Sequence, residues 1–153
     1  MDSDEADPDR QWRESTGRSV WRTIHTLVYG MKTAVEVHGS TVQAAKNTYR
    51  AVVRGIAEIY PCSGCSRHLR DEHTSHFDML DVLLLTRHTS VVGAVNDMAL
   101  WAFRFHNSVS AAIGNRNNEG IIRFGVESSD DAILRFLSAT YCPPAGEGSM
   151  CLA

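Results

Sequence analysis

Two cysteines, Cys62 and Cys65, lie three positions apart directly after Pro61. A proline favours the first turn of a helix, where the helix dipole and the unpaired N–H groups stabilise a thiolate over a thiol. Two thiols at this spacing can close into a disulfide, reopen it and exchange with other thiols. The pair therefore predicts redox chemistry at the start of a short helix that runs from about Cys62 to His73.

Three other interpretations of the cysteine pair stay open on these residues alone. The first is a structural zinc site that uses both cysteines and two histidines chosen from His68, His73 and His76. The second is an inert structural disulfide, and the third is a pair of buried thiols with no chemical role. A covalent haem site is disfavoured, because Ser66 occupies the position where that motif requires histidine.

The composition indicates one globular domain. Of the 153 residues, 43% are hydrophobic and 22% are charged, and the length suffices to bury a core. The net charge of −3 indicates neither nucleic acid nor an anionic membrane as a partner. No apolar run approaches the roughly 20 residues of a membrane helix. The acidic N-terminus shows no export signal, and disulfides in a reducing compartment are rare unless they are catalytic.

Apolar residues at helical spacing predict an all-α fold, and no alternating strand pattern is present. We expect residues 1–14 to form a mobile arm, with Trp12 docking onto the domain, residues 15–140 to form the helical domain, and residues 141–153 to form a flexible tail. The predicted helices run from about Ser15 to Gly39, Ser40 to Pro61, Cys62 to His73, Ser90 to Ile113, and from Ser128–Asp131 onward. Between the third and fourth of these, a short helix or tucked loop is expected to bury Phe77, Met79, Leu80, Val82, Leu83 and Leu85.

The predicted helices carry side chains that could hold a flat aromatic cofactor. A thioredoxin-like exchanger needs a β-α-β framework, so a cysteine pair in a helical bundle suggests a bound electron acceptor instead. Each candidate taken singly is more often a core residue, and only the set points to a cofactor. The candidates are Trp21, His25, Tyr29, Trp101, His106 and Asn107.

Three segments, in order and at similar spacing over residues 17–116, resemble the flavin-dependent sulfhydryl oxidases of the Erv/ALR type. They are Gly17-Arg18-Ser19-Val20-Trp21-Arg22-Thr23-Ile24-His25-Thr26-Leu27, then Tyr60-Pro61-Cys62-Ser63-Gly64-Cys65 with His68-Leu69, and then Trp101 with His106-Asn107-Ser108-Val109. The structural disulfide of the cellular members has no counterpart here, so the chain looks like the compact viral members.

The resemblance implies a four-helix bundle with a short fifth helix, usually a homodimer, that holds FAD at one end. It assigns Cys62 as the sulfur that meets incoming thiols and Cys65 as the sulfur next to the flavin. Ser110 stands where the family has asparagine, and Arg116 could replace the charge of a family lysine. The residues implied in FAD binding are Arg18, Trp21, His25, Tyr29, Trp101, His106, Asn107, Val109, Ser110 and Arg116.

The implied activity is thiol oxidation, in which electrons from protein thiols pass through Cys62 and Cys65 to FAD and then to oxygen, giving hydrogen peroxide. A second pair, Cys142 and Cys151, could relay electrons to the first pair, staple the tail or stand idle. The expected location is the cytoplasm or a virion, with the mitochondrial intermembrane space as the alternative. The competing function is a zinc-bound helical interaction module.

Overall fold

The computed structural model describes residues 8–61, 66–112 and 129–142, and helices dominate all three ranges, with no strand among them. The helices are α1 Pro8–Glu36, α2 Val42–Ile59, a π-helix His68–Glu72, α3 Thr74–Leu85, α4 Val91–Ala112 and α5 Asp130–Tyr141. Helix α1 lies along α2 and α4, α3 packs against α4 and α2, and α5 packs against α4 and α1. The predicted all-α bundle is therefore confirmed.

Helix α1 begins at Pro8, so the start predicted at Ser15 is wrong by two turns. Proline suits the first position of a helix, because the N–H it lacks has no intrahelical partner there. The extension needs no core contact, since its residues are exposed and Arg10 and Glu14 pair between successive turns. Trp12 is 48% exposed, so it does not dock onto the domain in the way expected.

The turn between α1 and α2 uses the residues that the sequence marks for it. Helix α1 ends at Glu36, and Gly39 follows with a φ of 72°, a backbone conformation that favours glycine. The side chain of Thr41 then accepts from the backbone N–H of Ala44 at 3.0 Å and caps α2. The two helices are thereby reversed against each other within a few residues.

The segment left open between His73 and Ser90 is helix α3. Phe77 and Leu80 are buried as expected, but Met79, Val82 and Leu85 are 57%, 56% and 88% exposed, so their predicted burial is wrong. A helix packed on one side buries only one stripe of its surface. The apolar residues of α3 occupy more of the helix surface than that stripe. The outer side of α3 is consequently apolar and faces solvent.

Helix α4 forms the centre of the core and contacts the other four α-helices. Ser90 precedes it and accepts from the backbone N–H of Gly93 at 3.3 Å, which confirms the predicted start. The small residues Ala94, Ala99 and Ala102 are almost completely buried, and they allow neighbouring helices to approach closely. No helix of the described ranges is both long enough and apolar enough to traverse a lipid bilayer.

A buried lysine ties the C-terminal end of α3 to the rest of the bundle. Lys46 on α2 is 1% exposed, and its Nζ donates to the carbonyl oxygens of Leu83 at 2.8 Å and Thr86 at 2.7 Å. It also lies 3.0 Å from Nδ1 of His88, whose Nε2 donates to Asp97 on α4 at 2.7 Å. Burial lowers the pKa of Lys46, and the charge of Asp97 opposes that effect.

Replacing this lysine should destabilise the fold strongly. In Lys46→Met, two carbonyls at a helix end and one histidine nitrogen lose their buried donor, so we expect the free energy of unfolding to fall by about 2–4 kcal/mol. Urea unfolding followed by circular dichroism measures this. The matched variant Lys32→Met breaks a 3.9 Å ion pair with Glu36 and should cost about 0.5 kcal/mol or less. Equal losses in the two variants would contradict the role given to Lys46.

Candidate active site

Four rings from three helices form a compact group, which we call the ring cluster: Trp21 and His25 on α1, His106 on α4 and Tyr141 on α5. Trp21 stacks on His106 with ring centroids 4.1 Å apart and planes inclined by 6°. His25 Nε2 lies 2.9 Å from His106 Nδ1, so one ring donates to the other. On its other side His25 stacks against Tyr141 at 4.5 Å. The two halves of the predicted site, on α1 and α4, are therefore in direct contact.

The ring cluster is kept uncharged by burial. His25 is 2% exposed, and burial lowers its pKa to about 4. Burial lowers the pKa of His106 to about 3, with the neighbouring charge of His25 adding to the effect. Burial and the nearby Tyr141 also raise the pKa of Tyr29 to about 12. At neutral pH the two histidines of the cluster are thus neutral and packed against aromatic rings.

The residues on either side of the cysteine motif contact α1 and the last turn of α2. Ser66 Oγ donates to the carbonyl of Ala57 at 2.6 Å. The Tyr60 hydroxyl lies 3.9 Å from the point that a Cβ on Gly17 would occupy. A groove of about 390 Å³ runs beside the motif, and its lining residues are Glu58, Tyr60, Pro61, Ser66, Arg67 and Arg70. The described residues that flank the motif therefore border open space.

The other predicted site residues have varied surroundings. Trp101 is 3% exposed, its Nε1 donates to the carbonyl of His76 at 2.6 Å, and it packs on Tyr49, Phe77 and Phe105 rather than on the ring cluster. Val109 and Ser110 are buried on α4, and Arg18 is exposed one turn before Trp21. Four predicted residues lie outside the described ranges: Cys62, Cys65, Arg116 and Cys151.

The tail cysteine that can be described sits beside the ring cluster. Cys142 directly follows Tyr141, is 2% exposed and is disulfide-bonded. Cys142 is therefore not an idle free thiol. A relay through Cys142 would require the sulfur to leave this buried position, and that role stays a prediction.

Tyr141 is the member of the ring cluster that sequence reasoning missed. The apolar spacing of the fifth helix predicts Ile133, Leu134, Phe136 and Leu137 as its buried side. Ile133 and Leu137 are buried, and Leu134 and Phe136 are partly buried against the core. Tyr141 continues the same spacing of four, so an extension of that stripe by one turn finds it. It was assigned to the tail because prolines follow directly after Cys142.

The chain has the features of a helical redox protein. It combines an all-helical bundle, a paired-cysteine motif and a cluster of neutral rings. A family model described as Erv1 / Alr matches residues 18–124, and the chain belongs to this family. Its members are FAD-dependent sulfhydryl oxidases. Searches of curated proteins and of solved structures found no significant match. The predicted family is confirmed, and the resemblance to its viral members stays a prediction.

The described residues fit a flavin. Asn107 Oδ1 on α4 is buried and accepts no hydrogen bond from any described residue, so it offers an acceptor to a ligand N–H. The adjacent His106 stacks on Trp21, so aromatic rings stand beside this acceptor. The alternative zinc module gains no support: the described ranges contain no group of three or more metal-ligating side chains placed to hold an ion.

Proposed function

We propose that this protein is an FAD-linked thiol oxidase that makes disulfide bonds in protein substrates. The observation that carries the proposal is the direct contact of Trp21, His25 and His106, which brings the α1 and α4 segments of an Erv1/Alr chain into one neutral site. The residues that flank the cysteine motif contact α1, which carries Trp21 and His25, and the last turn of α2.

The cysteine pair does the thiol chemistry. A substrate thiolate attacks Cys62, because exchange needs an accessible sulfur, and Cys65 leaves as a thiolate. A second substrate thiolate then displaces Cys62, so that the substrate gains a disulfide and the pair holds two electrons. Bound FAD would accept those electrons and pass them to oxygen, giving hydrogen peroxide. The chain itself positions the sulfurs and keeps the neighbouring rings neutral.

The residues proposed to hold FAD are those that the family resemblance names, and the structure supports them unequally. Trp21, His25, His106 and Asn107 have the contacts or the vacant acceptor described above. Tyr141 joins them as a further wall, since it stacks on His25. The remaining proposed contacts are Arg18, Tyr29, Trp101, Val109, Ser110 and Arg116.

The tail pair and the assembly are further parts of the proposal. Cys142 and Cys151 relay electrons from substrate to the first pair, a role that the disulfide-bonded state of Cys142 supports and that requires its sulfur to leave the buried position. A homodimer would cover exposed apolar surface such as Met79, Val82 and Leu85 on α3. The proposed location is the cytoplasm or a virion, with the intermembrane space as the alternative.

The purified protein should be yellow and should consume oxygen when given dithiothreitol. Flavin absorbs at about 450 nm, so a visible spectrum detects it directly. An oxygen electrode together with a peroxide assay follows turnover. We expect about one flavin per chain and one peroxide formed for each oxygen consumed. A colourless protein that releases zinc on denaturation would contradict the proposal and restore the interaction module.

A further inference from the structure

A row of hydrogen bonds leads from the surface to α4 through two histidines that follow the cysteine motif. At the outer end, Glu72 is 63% exposed and its carboxylate accepts from His68 Nδ1. His68 Nε2 lies 3.2 Å from His73 Nε2. His73 Nδ1 lies 3.4 Å from Ser108 Oγ on α4. We call Glu72, His68, His73 and Ser108 the histidine chain.

The proton positions within the histidine chain follow from its outer end. An ionised carboxylate only accepts, so His68 must carry its hydrogen on Nδ1. In a neutral ring Nε2 is then an acceptor, and His73 must donate to it from its own Nε2. His73 Nδ1 is left to accept from the hydroxyl of Ser108. Every donor therefore points outward, from α4 towards the surface.

His73, the central member, is shielded from water. It is 5% exposed, and its ring is 5.9 Å from His76 on α3 and 5.9 Å from Phe105 on α4. Burial lowers the pKa of His73, the nearby His68 and His76 lower it further, and Glu72 opposes them. A neutral imidazole can accept a proton on one nitrogen while it releases another from the other nitrogen. Protons can thus cross this buried position without a resident charge.

The histidine chain links the segment after the cysteine motif to α4. His68 is three residues after Cys65 in the sequence, and Ser108, the inner end of the chain, directly follows Asn107, whose buried oxygen accepts no hydrogen bond from a described residue. Nothing in the thiol chemistry proposed above uses His68, His73 or Ser108. These residues nevertheless connect that segment, helix α4 and bulk water.

We propose that the histidine chain conducts protons between the active site and solvent during thiol oxidation, a role that rests on the proposed function. A thiol must lose its proton before its sulfur can attack a disulfide. Two protons leave for each substrate disulfide formed, and two are taken up again when oxygen is reduced to hydrogen peroxide. Ser108 takes up a proton from the active-site side as it passes its hydroxyl proton to His73, His73 passes the proton on its Nε2 to His68, and His68 releases the one on its Nδ1 to Glu72 and water.

The proton positions can be observed directly. Long-range ¹H–¹⁵N spectra of the purified protein at pH 7 distinguish the two neutral forms of an imidazole. We expect the hydrogen on Nε2 in His73 and on Nδ1 in His68. Either histidine in the opposite form would reverse a donor, break the outward order and overturn the proposal, whether or not the protein oxidises thiols.

Chemical rescue separates proton transfer from a structural role. In His73→Ala, we expect oxygen consumption with dithiothreitol to fall by about tenfold or more, and free imidazole to restore a large part of it by entering the vacated space. His68→Gln, at a side chain that is 19% exposed and so a small risk to folding, should show a loss of similar size. The control His38→Ala alters an exposed loop histidine and should behave as wild type.

The possible failures can be told apart. If the wild-type protein lacks flavin and consumes no oxygen, the proposed function fails. If the wild-type protein is active but His68→Gln and His73→Ala turn over at the wild-type rate, the histidine chain carries no protons. A loss in folded His73→Ala that imidazole leaves unchanged also rejects proton transfer.

Discussion

Cys65→Ser should reduce thiol oxidation to the uncatalysed background, a loss of about a thousandfold or more. A serine hydroxyl can neither form the redox disulfide with Cys62 nor hold a thiolate at neutral pH. Flavin binding should survive, because the described side chains proposed to contact it lie on α1, α4 and α5. Oxygen consumption with dithiothreitol, normalised to flavin content at about 450 nm, measures the loss.

Cys62→Ser completes this experiment. It removes the sulfur that meets the substrate, so we expect steady-state turnover to be lost in this variant as well. Circular dichroism should show the helical content of the wild type in both variants, since the change replaces one sulfur atom by oxygen. Sustained turnover of Cys65→Ser would reject the assigned role of that residue, and loss of flavin from either variant would place the cysteines among the determinants of binding.

Acidification from pH 6.5 to 4 should destabilise the protein by several kcal/mol. The folded-state pKa values of His25 and His106 are lowered to about 4 and about 3, below the usual value of 6.5. Their contribution to the free energy of unfolding is therefore complete above pH 6.5. It is lost as the pH falls towards the folded-state pKa values, by about 1.4 kcal/mol per pH unit for each histidine. A loss of this size approaches the whole stability of a small domain.

The choice of pH range and a double variant show whether His25 and His106 cause this loss of stability. Aspartates titrate below about pH 4 in unfolded chains, so Asp71 and Asp81 contribute little between pH 6.5 and 4. Burial also lowers the pKa values of His73 and His76, and both histidines act in the same direction. In the double variant His25→Gln/His106→Gln, urea unfolding should give lower stability at pH 7 but a smaller pH slope. An unchanged slope would show that the pair does not titrate as described.

Helical spacing predicted the main packing elements because the residues that decide them are local. Ser90 and Ser129 cap their helices through their own side chains, and Gly39 adopts a conformation that favours glycine. The start of α1 was missed because its first two turns contact little and leave no apolar stripe. The exposure of Leu85 was missed because the apolar run of α3 shows no periodicity that separates an inner from an outer side.

The candidate site could be proposed from the sequence as a set of residues but not as a set of contacts. The family motifs quote Trp21, His25 and His106, and these three side chains are in contact in the structure. Their role in FAD binding stays a prediction. Tyr141 enters the ring cluster only through the packing of α5 on α1 and α4, which depends on contacts across more than 100 positions of sequence. The hydrogen bonds between Lys46 and the carbonyl oxygens at the end of α3 have no local signal either, because a lysine in a helix normally faces solvent.

The π-helix at His68–Glu72 behaves as one extra residue inserted into a helical run. His68 and His73 are five residues apart, and in an α-helix their directions would differ by about 140°. In the wider turn their Nε2 atoms lie 3.2 Å apart. The contact between the two histidines therefore requires this number of residues between them. In related chains that keep both histidines, we expect an alignment to place no gap between them.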